Sequence, residues 1–232
     1  MNESNFSFPK DSVLGMQAEA CFEAYLKQSN NFELLTANLQ IQGTKETLGE
    51  LDYIVRNLKT EKIVHIELAC KFYLYDEKAG TLEEQKWIGP NRKDSLFDKL
   101  EKVKLKQFPL LQAPETIQKL EELGISKPSS QELCLKAFLF LPNKMAAAIF
   151  PKPFQDCIVG HYIKPNDLEE DKTALYAIPN KKEWLLPIEI VANWYTFSEI
   201  KQLIDAQLKI NKSPLIYKKT PHIMERFFII WW

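Results

Sequence analysis

The sequence predicts a mixed α/β fold, and three observations carry that prediction. A run with helical apolar spacing is followed by three strand-like runs and then by a second helical run. Hydrophobic residues make up 45% of 232 residues, enough to bury a sizeable core. From Glu132 onward the chain turns to short strands rich in proline and aromatics, so helices and strands are mixed throughout.

The first helix spans Leu14 to Gln28, where Leu14, Ala18, Cys21, Phe22, Tyr25 and Leu26 recur at helical spacing and Asp11 or Ser12 can cap the start. Phe32 to Gln42, Thr47 to Asn57 and Lys62 to Tyr75 are strand-like runs separated by "QGTKE" and "LKTE", a three-stranded meander. "KWIGPNRKDS" is turn chemistry, and Asp94 or Ser95 can cap a second helix from about Leu96 to Phe108. Pro114 to Leu123 reads as a short helix closed by Gly124, with "SKPSSQ" as the turn after it. Then come the strands "LCLKAFLFLP", "CIVGHYIK", "TALYAIP" and "EWLLPIEIV" and a helix capped by Ser198, with Ile200, Leu203, Ile204 and Leu208 on one face. "RFFIIWW" reads as a last strand tucked into the core. The organisation expected is a core begun by residues 1–127 and continued by the strands and helix of 128–232 as the same domain.

Charge and composition exclude several classes. With 30 basic and 31 acidic residues the net charge is -1, so binding to nucleic acid needs a local patch. Cys21, Cys70, Cys134 and Cys157 form no C-x-x-C pair and read as reduced residues of a cytoplasmic protein. "MNESNFSFPKDS" has neither a basic start nor an apolar stretch, so no secretory signal is expected, and no run of about 18 apolar residues predicts a membrane span. Only seven glycines are present and no phosphate-loop, dinucleotide or nucleophile-elbow motif, which disfavours those chemistries.

The chemistry concentrates in "VHIELACKFYLY". Val64, Ile66, Leu68, Cys70, Phe72 and Leu74 fall on one face of such a strand, and His65, Glu67, Ala69, Lys71, Tyr73 and Tyr75 on the other. If the two preceding strands form a hairpin turning at Lys59 and Thr60, Asp52 lies opposite Glu67, and the polar faces of both strands coincide. Two carboxylates about 5 Å apart between Cβ atoms repel by up to about 1 kcal/mol, and a divalent cation, Mg²⁺ or Mn²⁺, would compensate. Lys71 lies on the same face, where an amine could position water or neutralise a phosphorane. The blander alternative is a solvated sheet face on which Lys71 is an ordinary ion-pair partner of Glu50. Glu19 of the first helix can face the sheet. Gln107 ends the apolar stripe Leu96, Leu100, Val103 of the second helix, and a buried amide there needs partners. Lys99, Lys102 and Lys106 form a ridge that could track a phosphate backbone, or be plain solvated surface. His65, His161 and His222 show no ligand spacing; His65 joins the site face or is structural.

Taken in order, a helix with Glu19, a strand with Asp52, a strand with Glu67 and Lys71 and a helix with Gln107 resemble the core of the PD-(D/E)XK nuclease superfamily, the restriction-endonuclease-like fold. "LGMQAEACFEAYL", "LGELDYIVRN", "HIELACKFYLY", "WIGPN", "DKLEKVKLKQ", "IPNKKEWLLPI" and "ERFFII" resemble a bacterial family, domain of unknown function 1853, grouped with that superfamily. The resemblance implies that Asp52 and Glu67 are metal ligands, that Lys71 is the catalytic lysine, and that Glu19 and Gln107 complete the site. It implies a Mg²⁺- or Mn²⁺-dependent nuclease acting on nucleic acid, DNA before RNA. The usual E-x-K spacing is E-x-x-x-K here, which puts the amine roughly 7 Å farther along a strand. A catalytically inactive protein of the same fold, binding nucleic acid or protein, is therefore the alternative.

Overall fold

The first helix, α1, occupies Leu14–Gln28 in the computed structural model, which describes residues 6–190 and 193–232. Residues 1–5, on which the expectation of a start without basic residues or a secretory signal partly rests, and Val191, the last residue of the predicted strand "EWLLPIEIV", lie outside the described residues. The helix forms because Leu14, Ala18, Phe22 and Leu26 repeat every four residues, and Lys27 in its last turn complements the helix dipole. Its N-cap is Val13, with no side-chain cap, rather than Asp11 or Ser12: an extended residue intervenes before the helix begins. The meander follows as predicted, β1 Phe32–Gln42, β2 Thr47–Asn57 and β3 Ile63–Tyr75, each antiparallel to the next.

Next come α2 Glu83–Lys86 and β4 Trp87–Ile88, then α3 Leu96–Lys102. Ser95 caps α3 as expected: its Oγ accepts from the Asp98 N–H at 3.1 Å, and the Asp98 carboxylate accepts from the Ser95 N–H at 2.9 Å. The second helix is not continuous α-helix to Phe108. A π-helical turn, Val103–Gln107, interrupts it before α4 Phe108–Leu110. α5 Pro114–Glu122 starts on proline and ends at Gly124, whose φ of +67° is the left-handed conformation that glycine adopts without strain. β5 is Ser130–Pro142.

The remaining elements are α6 Lys152–Gln155, β6 Ile158–Ile163, β7 Leu175–Ala177, α7 Phe197–Leu208, β8 Leu215–Lys219 and β9 Met224–Ile229. Thr196, not Ser198, caps α7, because only Thr196 has a glutamate three residues on to complete a reciprocal box with Glu199. The described part of "EWLLPIEIV" is no strand but turns flanked by 3-10 segments Lys181–Glu183 and Ile188–Ile190, since Pro187 has no N–H to give a ladder.

The described residues make two compact units, the first of 6–70 and 99–136, the second of 71–98 with the described part of 137–232. β3 and β5 therefore each begin in the first unit and end in the second. In the first unit, Tyr53, Val55, Val64, Ile66 and Leu68 form a core with Ala18, Phe22 and Leu26 of α1. A second core there joins Ile54 and Ile63 to Leu110, Leu111 and Leu120 beyond the π turn. In the second unit, β6 and β9 pair in parallel, and β9, β8 and β7 follow in antiparallel order. Phe227, Phe228 and Ile229 of the terminal strand are buried, as the apolar end of the sequence predicts.

Candidate functional site

The site begins with a hairpin register. Asn57 turns the chain from β2 toward β3: its Oδ1 accepts from the N–H groups of Lys59 and Thr60 at 3.0 and 3.1 Å. The ladder pairs Arg56 with Ile63, Val55 with Val64, Ile54 with His65 and Tyr53 with Ile66, the register that puts Asp52 opposite Glu67. The paired ladder stops there. Asp52 instead uses its side chain, and Oδ2 accepts from the Leu68 N–H at 2.7 Å.

The polar side of β3 is not wet. His65 and Glu67 are both 0% exposed, which removes the solvated-face alternative for them. Buried polar groups demand partners, and here they form a chain. His65 Nε2 lies 3.0 Å from Glu67 Oε1, and Gln131 Nε2 lies 3.1 Å from His65 Nδ1 and 2.9 Å from the Phe108 carbonyl. Gln107 donates to Glu67 Oε2, and Lys99 Nζ donates to Gln107 Oε1 at 2.8 Å.

The π turn makes the last contact reachable. In an α-helix, residues eight apart stand roughly 80° apart around the axis, because each residue turns about 100°. The i→i+5 bonding of Val103–Gln107 absorbs one extra residue and returns Gln107 to the side of Lys99.

Electrostatics set Asp52 apart. Burial, then the charge of Glu67 and that of Glu19, push its carboxyl up to about 6, against the opposing pull of the Leu68 N–H and the Lys99 ammonium. Glu19 is itself raised, by burial and by Glu50. Beside it the Tyr53 hydroxyl donates to the Glu19 carbonyl at 2.9 Å and is raised by burial, Glu19 and Asp52. Asp52 thus feels two carboxylates, Glu67 and Glu19, and the Lys99 ammonium.

This oxygen-rich set fits a hard divalent cation held by two carboxylates and completed by water or substrate oxygens. It is not an all-protein cage: among the described residues no group of three or more His, Cys, Asp or Glu is placed to hold a metal. Asp52 and Glu67 each keep oxygen lone pairs beyond the hydrogen bonds described.

Asp52, Glu67, Gln107 and Glu19 of the predicted set are thus drawn together in the first unit. Lys71 belongs to the second, where its Nζ pairs with Asp94 at 2.7 Å rather than with Glu50. Glu50 instead accepts from Gln40. Of the predicted ridge, Lys102 and Lys106 are exposed while Lys99 turns to Gln107. Nothing in the sequence pointed to Gln131, at the start of β5 after a turn-like stretch, and Asp94 was offered there only as a helix cap, not as the partner of Lys71. Residues 3–230 match the family model described as Domain of unknown function (DUF1853). No curated protein and no solved structure matches the chain.

Proposed function

We propose that the chain, which belongs to the domain of unknown function (DUF1853) family, is a Mg²⁺- or Mn²⁺-dependent phosphodiesterase of restriction-endonuclease-like core acting on nucleic acid, with DNA as its substrate. The observation that carries this reading is the meeting of half-buried Asp52 and buried Glu67 in one hairpin register, with Asp52 raised to about 6 first by burial and then by the charge of Glu67. Asp52 and Glu67 would hold the ion. Such an ion supplies acidification of water and neutralisation of charge at a phosphoryl group. The chain's own residues do the rest: Gln107 steadies Glu67, Lys99 sets an ammonium near Asp52, and Glu19 adds to the local negative potential. Lys102 and Lys106 offer exposed charge for a phosphate backbone. The reading of the four cysteines as reduced residues favours a cytoplasmic location for this function.

A second reading, a nuclease-fold module that binds without cleaving, is favoured by one observation: the lysine of the E-x-x-x-K motif is committed to Asp94. Calorimetric titration with Mn²⁺ and a plasmid cleavage assay separate the two. The nuclease reading expects Mn²⁺ binding and cleavage in the wild type, and loss of at least about 100-fold in cleavage for Asp52→Ala and Glu67→Ala with the fold retained by circular dichroism. A folded wild type that binds DNA but neither Mn²⁺ nor a scissile bond, with DNA binding unchanged in both variants, establishes the module instead.

A further inference from the structure

We infer that His65 and Gln131 are positioning residues for Glu67, forming a one-directional hydrogen-bond chain that fixes the carboxylate from behind. The inference rests on the reading of Glu67 as a metal ligand given above. Its direction follows from one atom that has no choice. The Phe108 carbonyl can only accept, so the Gln131 atom 2.9 Å from it is the amide nitrogen. The same nitrogen stands 3.1 Å from His65 Nδ1, and its second N–H points there. Nδ1 must therefore accept, which leaves the ring proton on Nε2, 3.0 Å from Glu67 Oε1.

Glu67 is gripped from its other oxygen as well, by Gln107, which in turn accepts from Lys99. Each oxygen gives one lone pair to a donor and keeps one for a ligand. With the His65 imidazole fully buried, water does not readily replace a link lost on its ring. The Phe108 ring packs edge-on to the imidazole at 6.2 Å, and this holds its plane. Outer partners of this kind typically tune metal affinity 10- to 100-fold without touching the ion.

Nitrogen-15 NMR of the full chain at neutral pH and calorimetric titration with Mn²⁺ test this together. The expected spectrum has His65 Nδ1 bare and Nε2 protonated, and Gln131→Leu is expected to mix the two tautomers. His65→Leu is expected to weaken Mn²⁺ binding about 10- to 100-fold, while His65→Gln, whose amide can stand where Nε2 stood, stays within about threefold. A wild-type spectrum with the proton on Nδ1 overturns the inference. So does Mn²⁺ affinity unchanged in His65→Leu when Asp52→Ala abolishes it. Absence of Mn²⁺ binding in the wild type overturns the metal reading instead, and the tautomer then decides the hydrogen-bond chain by itself.

Discussion

At the scale of the residue, Asp52 shows how a site's chemistry works against the fold that carries it. Its carboxyl is raised from 3.8 to about 6, first by burial and then by Glu67 and Glu19. The folded chain therefore binds a proton that the unfolded chain has released between about pH 4 and pH 6, and stability falls as pH rises through that window. Asp52→Asn keeps an oxygen for the Leu68 N–H and removes the charge. It should be more stable than the wild type at pH 7.5 by about 1–2 kcal/mol, a figure reduced for the partial exposure of the carboxyl. The gap should close below about pH 4, where the wild-type carboxyl is protonated in both states. Denaturant unfolding at the two pH values measures it, and a gap of the same size at both would mean that charge is not its cause. A variant that is more stable and less active is what a functional carboxylate predicts.

At the scale of the element, the sequence was clearest where one periodicity ran unbroken. α1 and β2 fall on their expected bounds because their apolar residues keep helical or alternating spacing, and β1 does so although a register shift between Leu34 and Thr36 breaks its alternation. The hairpin register was legible too, since the polar faces of β2 and β3 match in only one parity. What α-helical counting could not see is the π turn. Leu96, Leu100, Val103 and Gln107 fit α spacing, yet the helix widens over Val103–Gln107 to turn Gln107 toward Glu67. Gln131 was hidden for another reason: it acts from β5, far along the chain, on a histidine whose own strand gave no hint of it. β8 escaped prediction as a five-residue run with little alternation.

The π turn carries its own prediction. Deleting Lys104, which is exposed and makes a 3.9 Å surface ion pair to Glu101, leaves Lys99 and Gln107 seven residues apart. Seven residues of plain α-helix bring them to within about 20° around the axis. The deletion should therefore fold, with a thermal midpoint within about 4 °C of the wild type. Gln107→Ala, which strips a donor from buried Glu67, should cost about 1–3 kcal/mol. A deletion that unfolds the chain would show that the widened turn serves packing, not the alignment of these two side chains.

At the scale of the molecule, the division of the chain decides which pieces can stand alone. The first unit needs residues 99–136 and the second needs 71–98, so the backbone passes between units three times. A cut between 127 and 128, the boundary read from the sequence, leaves the first unit without Ser130–Lys136 of β5 and so without Gln131. The same cut leaves the second unit without the end of β3, and without Trp87, whose ring packs with Phe150 and Phe154 at 5.3 and 5.6 Å. Each fragment thus keeps apolar residues whose partners are gone, and large buried aromatics contribute several kcal/mol each to a domain only marginally stable in total. Fragments 1–127 and 128–232, expressed separately, should show no cooperative thermal transition by circular dichroism. The intact chain should show a cooperative one. A fragment 128–232 that melts cooperatively would mean that the strands β6 to β9 fold without the 71–98 segment.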